Sequence, residues 1–265
     1  MKPYAFIGER MQCVDYKIEN KIGIITLNRP ESLNALNARL TFKLQEVMHD
    51  FRDNDNVWVG ILTGAGSRAF SAGADIKESI SLAGTQVPTR QVSDHLRFDL
   101  IWKPVIAAIN GYCLGGGLEL ALTCDLRLAS ENARFGTPEV QIGTLPAGGA
   151  IDRLPRFIGR GKAAELMLLG QQIDAQEALK IGLINKVVPP DKLMTSALEW
   201  ANLMRHAAPL TIRAVKEGML KGYDMTLEEG LINEGRLLTF IRSTQDFKEG
   251  AQAFKDKRKP DWSAK

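Results

Sequence analysis

A two-residue period opens the readable part of the chain. Over residues 12–27, Val14, Tyr16 and Ile18 share one face, Asn20-Lys21 can turn, and Ile22 to Leu27 return, which predicts a pair of strands. The period then lengthens. Behind Asn37, a residue type suited to capping, Leu40, Leu44, Val47, Met48 and Phe51 recur at helical spacing. "VWVGILTG" (57–64) and "PVIAAINGY" (104–112) are continuous apolar runs with the character of buried strands. Three glycines, Gly115 to Gly117, open a short apolar helix, and "DLRLAS" (125–130) reads as another strand. Strands alternating with helices indicate an α/β core.

The pattern changes along the chain. Residues 81–90, "SLAGTQVPTR", carry turn formers without a period and read as a mobile loop of the kind that borders a binding site. After "INKVV" (184–188), Pro189-Pro190 ends strand character, and only helical periods follow. Leu193, Ala197, Trp200, Ala201 and Met204 line one helix face, and further helices are expected at 209–222, 226–241 and 245–255. The expected layout is an α/β body over 1–190 and a helical region over 191–265.

Composition narrows the function classes. With 265 residues, 45% hydrophobic and 25% charged, the chain has ordinary globular values and enough length for a sizeable core. A net charge of +3 is too small to argue for a nucleic-acid partner. The densest basic run is Lys255, Lys257, Arg258 and Lys259, read either as a solvated tail or as a phosphate contact. Three cysteines without a CxxC pair argue against a disulfide framework or a zinc site. No apolar run approaches the ~18–20 residues of a membrane span. The first residues lack the apolar centre of a signal peptide, and Glu9 and Asp15 do not suit a transit peptide. A cytoplasmic protein with no membrane and no nucleic-acid partner is expected.

Several familiar motifs come close and fail. Gly64 to Ala69 fits GxGxxA after a strand, but "FSAGAD" is a poor start for a long helix and no acidic strand end follows about twenty residues on. "AFSAG" around Ser71 has Ala69 where a nucleophile elbow needs glycine. His49, His95 and His206 have no obvious partner, and "GRGK" (159–162) lacks the spacing of a phosphate loop.

One constellation remains. Two glycine-rich segments, "FSAGADIKE" (70–78) and "GYCLGGGLE" (111–119), each follow a strand-like run. Such loops bring backbone N–H groups close to a ligand, and two converging amides make an oxyanion hole, the second at a helix N-terminus. Glu119 sits among Leu118, Leu120, Ala121 and Leu122, where it is either the exposed edge of an amphipathic helix or a carboxylate with a purpose. Twenty residues on, Glu139 stands in "FGTPEVQIGTLPAGG" (135–149). Two carboxylates near one spot can hold different pKa values and divide acid and base roles. These parts suit a reaction through an enolate.

The ordered series "NRPESLNAL" (28–36), "AFSAGADIKE", "PVIAAINGYCLGGGLELALTCD", "ARFGTPEVQIGTLP", "QQIDAQEALKIGLINKVV" and "EGAQAFKDKRKPDW" resembles the crotonase (enoyl-CoA hydratase/isomerase) superfamily over nearly the whole chain. The resemblance implies a spiral of ββα units with C-terminal helices that assemble homotrimers, usually paired into hexamers. It places the oxyanion hole on the N–H groups of Ala74 and Gly116, and the two hydratase glutamates on Glu119 and Glu139. It places the acyl-CoA site along Ala35, Leu36, Ala72, Asp75, Ile76, Lys77, Leu114 and Pro138, with Lys257 near the CoA phosphates.

The activity implied is hydration of a trans-2-enoyl-CoA, as in fatty-acid β-oxidation. Metal and redox cofactors have no place in it, since coenzyme A enters with the substrate. Isomerases of this family often keep one glutamate, so the pair favours hydration over isomerisation, or over dehydration of a branched, cyclic or carnitine-type acyl-CoA. Some members bind RNA, but the 38–51 helix is not lysine-rich and contains Glu46 and Asp50. One departure stands out: many hydratases read P-G-A-G-G where this chain reads Pro146-Ala147-Gly148-Gly149-Ala150. A methyl at Ala147 is expected to narrow the pocket or shift Glu139.

Overall fold

The computed structural model describes residues 13–81 and 96–265. His95 and, beyond Ser81, the loop expected at 81–90 lie outside the described residues. The elements in order are β1 (Val14–Glu19), β2 (Ile22–Leu27), α1 (Ala38–Asp53), β3 (Val59–Gly64), β4 (Ala69–Ser71), α2 (Ile76–Ser81), β5 (Val105–Ile109), β6 (Tyr112–Leu114), α3 (Gly116–Leu122), β7 (Leu126–Ser130) and β8 (Arg134–Gly136). They continue as α4 (Ala150–Leu169), β9 (Gln172–Asp174), α5 (Ala175–Lys180), β10 (Lys186–Val188), α6 (Leu193–Arg205), α7 (Pro209–Gly222), α8 (Leu227–Ser243) and α9 (Gln245–Lys255).

Two sheets share the strands. One has the order β1-β2-β3-β5-β7-β10, the other β4-β6-β8-β9. Three times in succession the chain lays one strand in the first sheet and the next in the second: β3 then β4, β5 then β6, β7 then β8. Helices follow each pair, so the path is the expected spiral of ββα units. The run 104–112, read as one strand, is two regions of extended chain: β5 ends at Ile109, and β6 starts at Tyr112 in the other sheet. The change of sheet at Asn110-Gly111 is tight, because a Cβ on Gly111 would overlap the Arg68 carbonyl.

The apolar strands are continuous because both faces of the first sheet are covered. Leu62, Ala107 and Ile109 pack with Leu40, Leu44 and Phe51 of α1, while their neighbours Ile61, Ile106 and Ala108 pack with Leu193, Ala197 and Ala201 of α6. Asn37 caps α1 as expected, its side chain accepting from Leu40 N–H. Helix α7 is tied in by charge. Lys216 Nζ donates to Asp125 Oδ2 (2.7 Å) and to the carbonyls of Phe98 and Lys103 (both 3.1 Å). Asp125 Oδ2 also accepts from Val105 N–H (2.7 Å), so this cluster fixes α7 against the start of β5 and the end of α3.

The second sheet positions the chemistry. Its parallel strands pair Ser71 with Cys113 and Leu114 with Gly136, so β4, β6 and β8 end side by side. The segments 72–75, 115–119 and 137–139 leave from those adjacent ends.

Candidate active site

Ala74 is placed by a backbone bridge. Leu36 N–H donates to Gly73 O (2.8 Å) and Asp75 N–H donates to Leu36 O (3.1 Å), making a parallel bridge between Leu36 and Ala74. In such a bridge the central residue's own N–H and C=O point away from the partner strand. On that other side stands Gly116. A Cβ built on Gly116 would lie 3.6 Å from Ala74 N, and one built on Gly73 would lie 3.1 Å from Gly116 N. Gly116 is the first residue of α3, so its N–H has no acceptor within the helix. Ala74 is exposed and Gly116 half-buried. Two neighbouring amides therefore face an accessible edge.

The backbone that brings Gly116 there requires glycine at 115. Its N–H donates to Gly136 O (2.9 Å) and its φ is 50°. A Cβ at this position would lie 2.5 Å from Glu139 Oε1, so conformation and space both demand glycine.

Glu119 follows one turn later and is not an exposed helix edge: it is only 7% exposed. Its Oε1 accepts from Ala150 N–H (3.0 Å). Burial pushes its carboxyl above the ordinary range, while the amides of Ala150, Gly148 and Gly149 and the charge of Arg153 work the other way. The glycine-rich turn at 148–149 serves this residue: a Cβ on Gly148 would lie 2.6 Å from Glu119 Oε2. In that turn Gly148 lies against Glu119 and Gly149 against Arg153, while Ala147, whose methyl is expected to narrow the pocket or shift Glu139, is exposed.

Glu139 lies on a single 3-10 turn, Pro138–Ile142, directly after β8. Its Oε2 is buried and has no hydrogen-bond donor among the described residues. Burial raises this carboxyl too; its own backbone N–H lowers it, and the charge of Glu119 raises it further. The two glutamates thus differ in kind. One is held by a backbone amide with a cation in its field, and the other keeps a bare oxygen.

The remaining expected residues are distributed as follows. Arg29 links two of them, donating from Nη1 to Ala35 O (2.7 Å) and pairing with Asp75 Oδ2 (3.2 Å). Leu36 presents Cδ1 3.4 Å from a Cβ position on Gly116, and Ala72 N–H donates to Leu33 O (3.0 Å). Leu114 and Pro138 are half-buried beside these residues, and Ile76 and Lys77 are exposed at the start of α2. Lys257 follows α9, a helix that packs on α8, and its N–H donates to Phe254 O (3.3 Å).

Sequence reasoning missed Ala150, Arg153 and Asp99. Arg153 Nη1 donates to Gly148 O (3.1 Å) and Nη2 to Asp99 Oδ2 (2.9 Å), while Arg97 Nε donates to Asp99 Oδ1 (2.7 Å). The available signal was a Gly-Gly turn opening a helix with arginine in its first turn. Among the described residues, no group of three or more potential metal ligands occurs, and no helix is long and apolar enough to cross a membrane.

The geometry brings two backbone amides and two unlike carboxylates to adjacent strand ends, and the chain as a whole matches known proteins. The model of the Enoyl-CoA hydratase/isomerase family matches residues 17–265. The chain is 42% identical to the short-chain-enoyl-CoA hydratase of Clostridium acetobutylicum, over 91% of this chain and 94% of that one. It is 40% identical to the (E)-benzylidenesuccinyl-CoA hydratase of Thauera aromatica, over 93% and 97%. The crystal structure of enoyl-CoA hydratase from Bacillus anthracis superposes with a TM-score of 0.90 at 38% identity, covering 96% of this chain and all of that one. The chain belongs to the enoyl-CoA hydratase/isomerase family, part of the crotonase superfamily.

Proposed function

We propose that the protein is an enoyl-CoA hydratase that adds water reversibly across the 2,3 double bond of a trans-2-enoyl-CoA. The observation that carries this reading is the inequality of the two glutamates beside the Ala74 and Gly116 amides. Glu119, with Ala150 N–H and Arg153 to stabilise its charge, is the base. It takes a proton from water as the water oxygen bonds to C3, and the π electrons move to the thioester oxygen. Ala74 and Gly116 N–H hold that oxygen as the enolate forms, each worth about 10²–10³ in rate. Glu139, whose bare Oε2 favours the protonated form, gives its proton to C2 as the enolate collapses. A proton returning from Glu119 to Glu139 resets the site. No metal or redox group is needed, because coenzyme A arrives as part of the substrate.

Glu119→Gln and Glu139→Gln test this. Each is expected to lower hydration by roughly 10²–10⁴, with the double variant little worse than the poorer single because the two act as a unit. Loss of enone absorbance on a panel of enoyl-CoA thioesters is the measurement. An isomerase needs one proton shuttle. If Glu119→Gln kept more than about a tenth of the activity while Glu139→Gln abolished it, an isomerase would replace this reading.

The acyl group is left open by the two named relatives, one acting on short-chain and the other on benzylidenesuccinyl thioesters. Assembly as a trimer, or a hexamer of two trimers, is supported by the apolar side chains that α8 and α9 leave exposed, Leu227, Leu231, Ile232, Phe240 and Phe254 among them. Lys257 on the same helical region is assigned to the CoA phosphates. A cytoplasmic location and a place in β-oxidation complete the proposal, the former supported by three free, buried thiols at Cys13, Cys113 and Cys124.

A further inference from the structure

We propose that Arg153, held in place by Asp99, is a positioning residue for Glu119, fixing the turn whose amides grip its carboxylate. This rests on the hydratase reading for its effect on turnover, but the arrangement stands on geometry alone. Arg153 bridges three pieces of chain. Its Nη2 is anchored on Asp99, which Arg97 holds from the opposite carboxylate oxygen. Its Nη1 donates to Gly148 O, and a Cβ on Gly149 would overlap Nη1, so this end of the guanidinium lies against the Gly148-Gly149 backbone. The other side of that backbone faces Glu119: Ala150 N–H donates to Oε1, and Gly148 has no room for a side chain against Oε2. One layer of backbone thus separates the guanidinium from the carboxylate. Arg153 and Asp99 are both largely buried, 16% and 15% exposed at their side chains, so the pair is poorly screened.

The clamp acts in two ways. Polarising Gly148 O stiffens the turn, so that Ala150 N–H stays on Glu119. The cation also favours the charged carboxylate, which burial alone would disfavour. Among the described residues, the charged groups facing Glu119 are Arg153 from α4 and Glu139 from the 3-10 turn; behind Arg153 stand Asp99 and Arg97. Burial works to raise the Asp99 carboxyl, but Arg97 and Arg153 hold it below the ordinary range, so it stays charged as the anchor.

Asp99→Asn separates positioning from simple charge. Removing a negative charge near Glu119 without moving Arg153 lowers the Glu119 midpoint. Releasing Arg153 from its anchor, as a clamp requires, raises it. The experiment follows the Glu119 carboxyl by ¹³C NMR of glutamate-labelled full-length protein, assigned with Glu119→Gln, in Asp99→Asn, Arg153→Met and Arg153→Lys. The expected result is an upward shift in Asp99→Asn and Arg153→Met and partial restoration in Arg153→Lys. In parallel, kcat for trans-2-butenoyl-CoA falls by up to about 10² with KM little changed, and the acidic limb of the rate profile moves to higher pH. A downward or absent shift in Asp99→Asn overturns the proposal, as does an unmoved midpoint in Arg153→Met. Where Arg153→Met does not fold, the other two variants decide. Wild-type protein that fails to hydrate any enoyl-CoA overturns the hydratase reading, while the titration still decides the clamp.

Discussion

Glu139 illustrates how a site residue trades against the fold. Its carboxyl is raised because burial and the Glu119 charge both oppose ionisation, and Oε2 has no donor among the described residues to compensate. The folded chain therefore binds this proton more tightly than the unfolded chain does. Stability from the protonated form is fully present below the unfolded pKa and is lost as pH rises through the folded one. Glu139→Gln, which never carries the charge, is expected to melt above wild type at pH 8, with the advantage shrinking as pH falls into the carboxylate range. Differential scanning calorimetry at several pH values checks this. Gly115 sits on the other side of the same contact. Gly115→Ala meets a positive φ and Glu139 Oε1 together, and should cost about 1 kcal/mol or more in stability. Its activity should fall further than that loss explains, because the carboxylate is displaced. Urea unfolding beside steady-state rates separates the two effects.

At the scale of elements, legibility follows periodicity. The cap at Asn37 and the five apolar positions of α1 could be read directly, and all five side chains are buried. Helices α7 and α9 fall where the pattern places them, and α8 covers 227–243 against the expected 226–241. The helix α4 could not be read. Pro155 lies inside it and Gly159 interrupts it at φ 75°, so its period breaks where a sequence reader would end it. The two glutamates and two amides were legible as spacing and as family likeness. The turn that holds Glu119 was not, because a backbone N–H leaves no mark in composition and Asp99 is 54 residues from Arg153. The tie of α7 to the sheet was equally hidden, being one buried ion pair between distant residues. Lys216→Met would strand Asp125 beside Val105 N–H without its cation, which is expected to cost about 3–5 kcal/mol in chemical unfolding.

For the whole molecule, the exposed apolar face of α8 and α9 is the feature most at odds with a lone chain in water. Phe254 is 90% exposed and Leu227 81%. A mass of three or six chains by light scattering at micromolar concentration is expected, and a strictly monomeric mass would remove the proposed assembly. Deleting 226–265 should give a chain that aggregates or loses activity.

The spiral itself has a consequence for how such a protein changes over time. Successive coils end side by side in the β4-β6-β8 sheet, and in the proposed mechanism each delivers a different working part: one amide after the first, an amide and a base after the second, an acid after the third. The parts are therefore separately replaceable. Altering the short segment behind β8 would exchange the proposed proton donor while the two earlier coils keep the proposed thioester grip, provided Gly115 keeps its bond to Gly136 O and its room beside residue 139. A lineage built on this plan can move from one reaction to another by editing a single coil, passing through intermediates that still hold the same class of ligand.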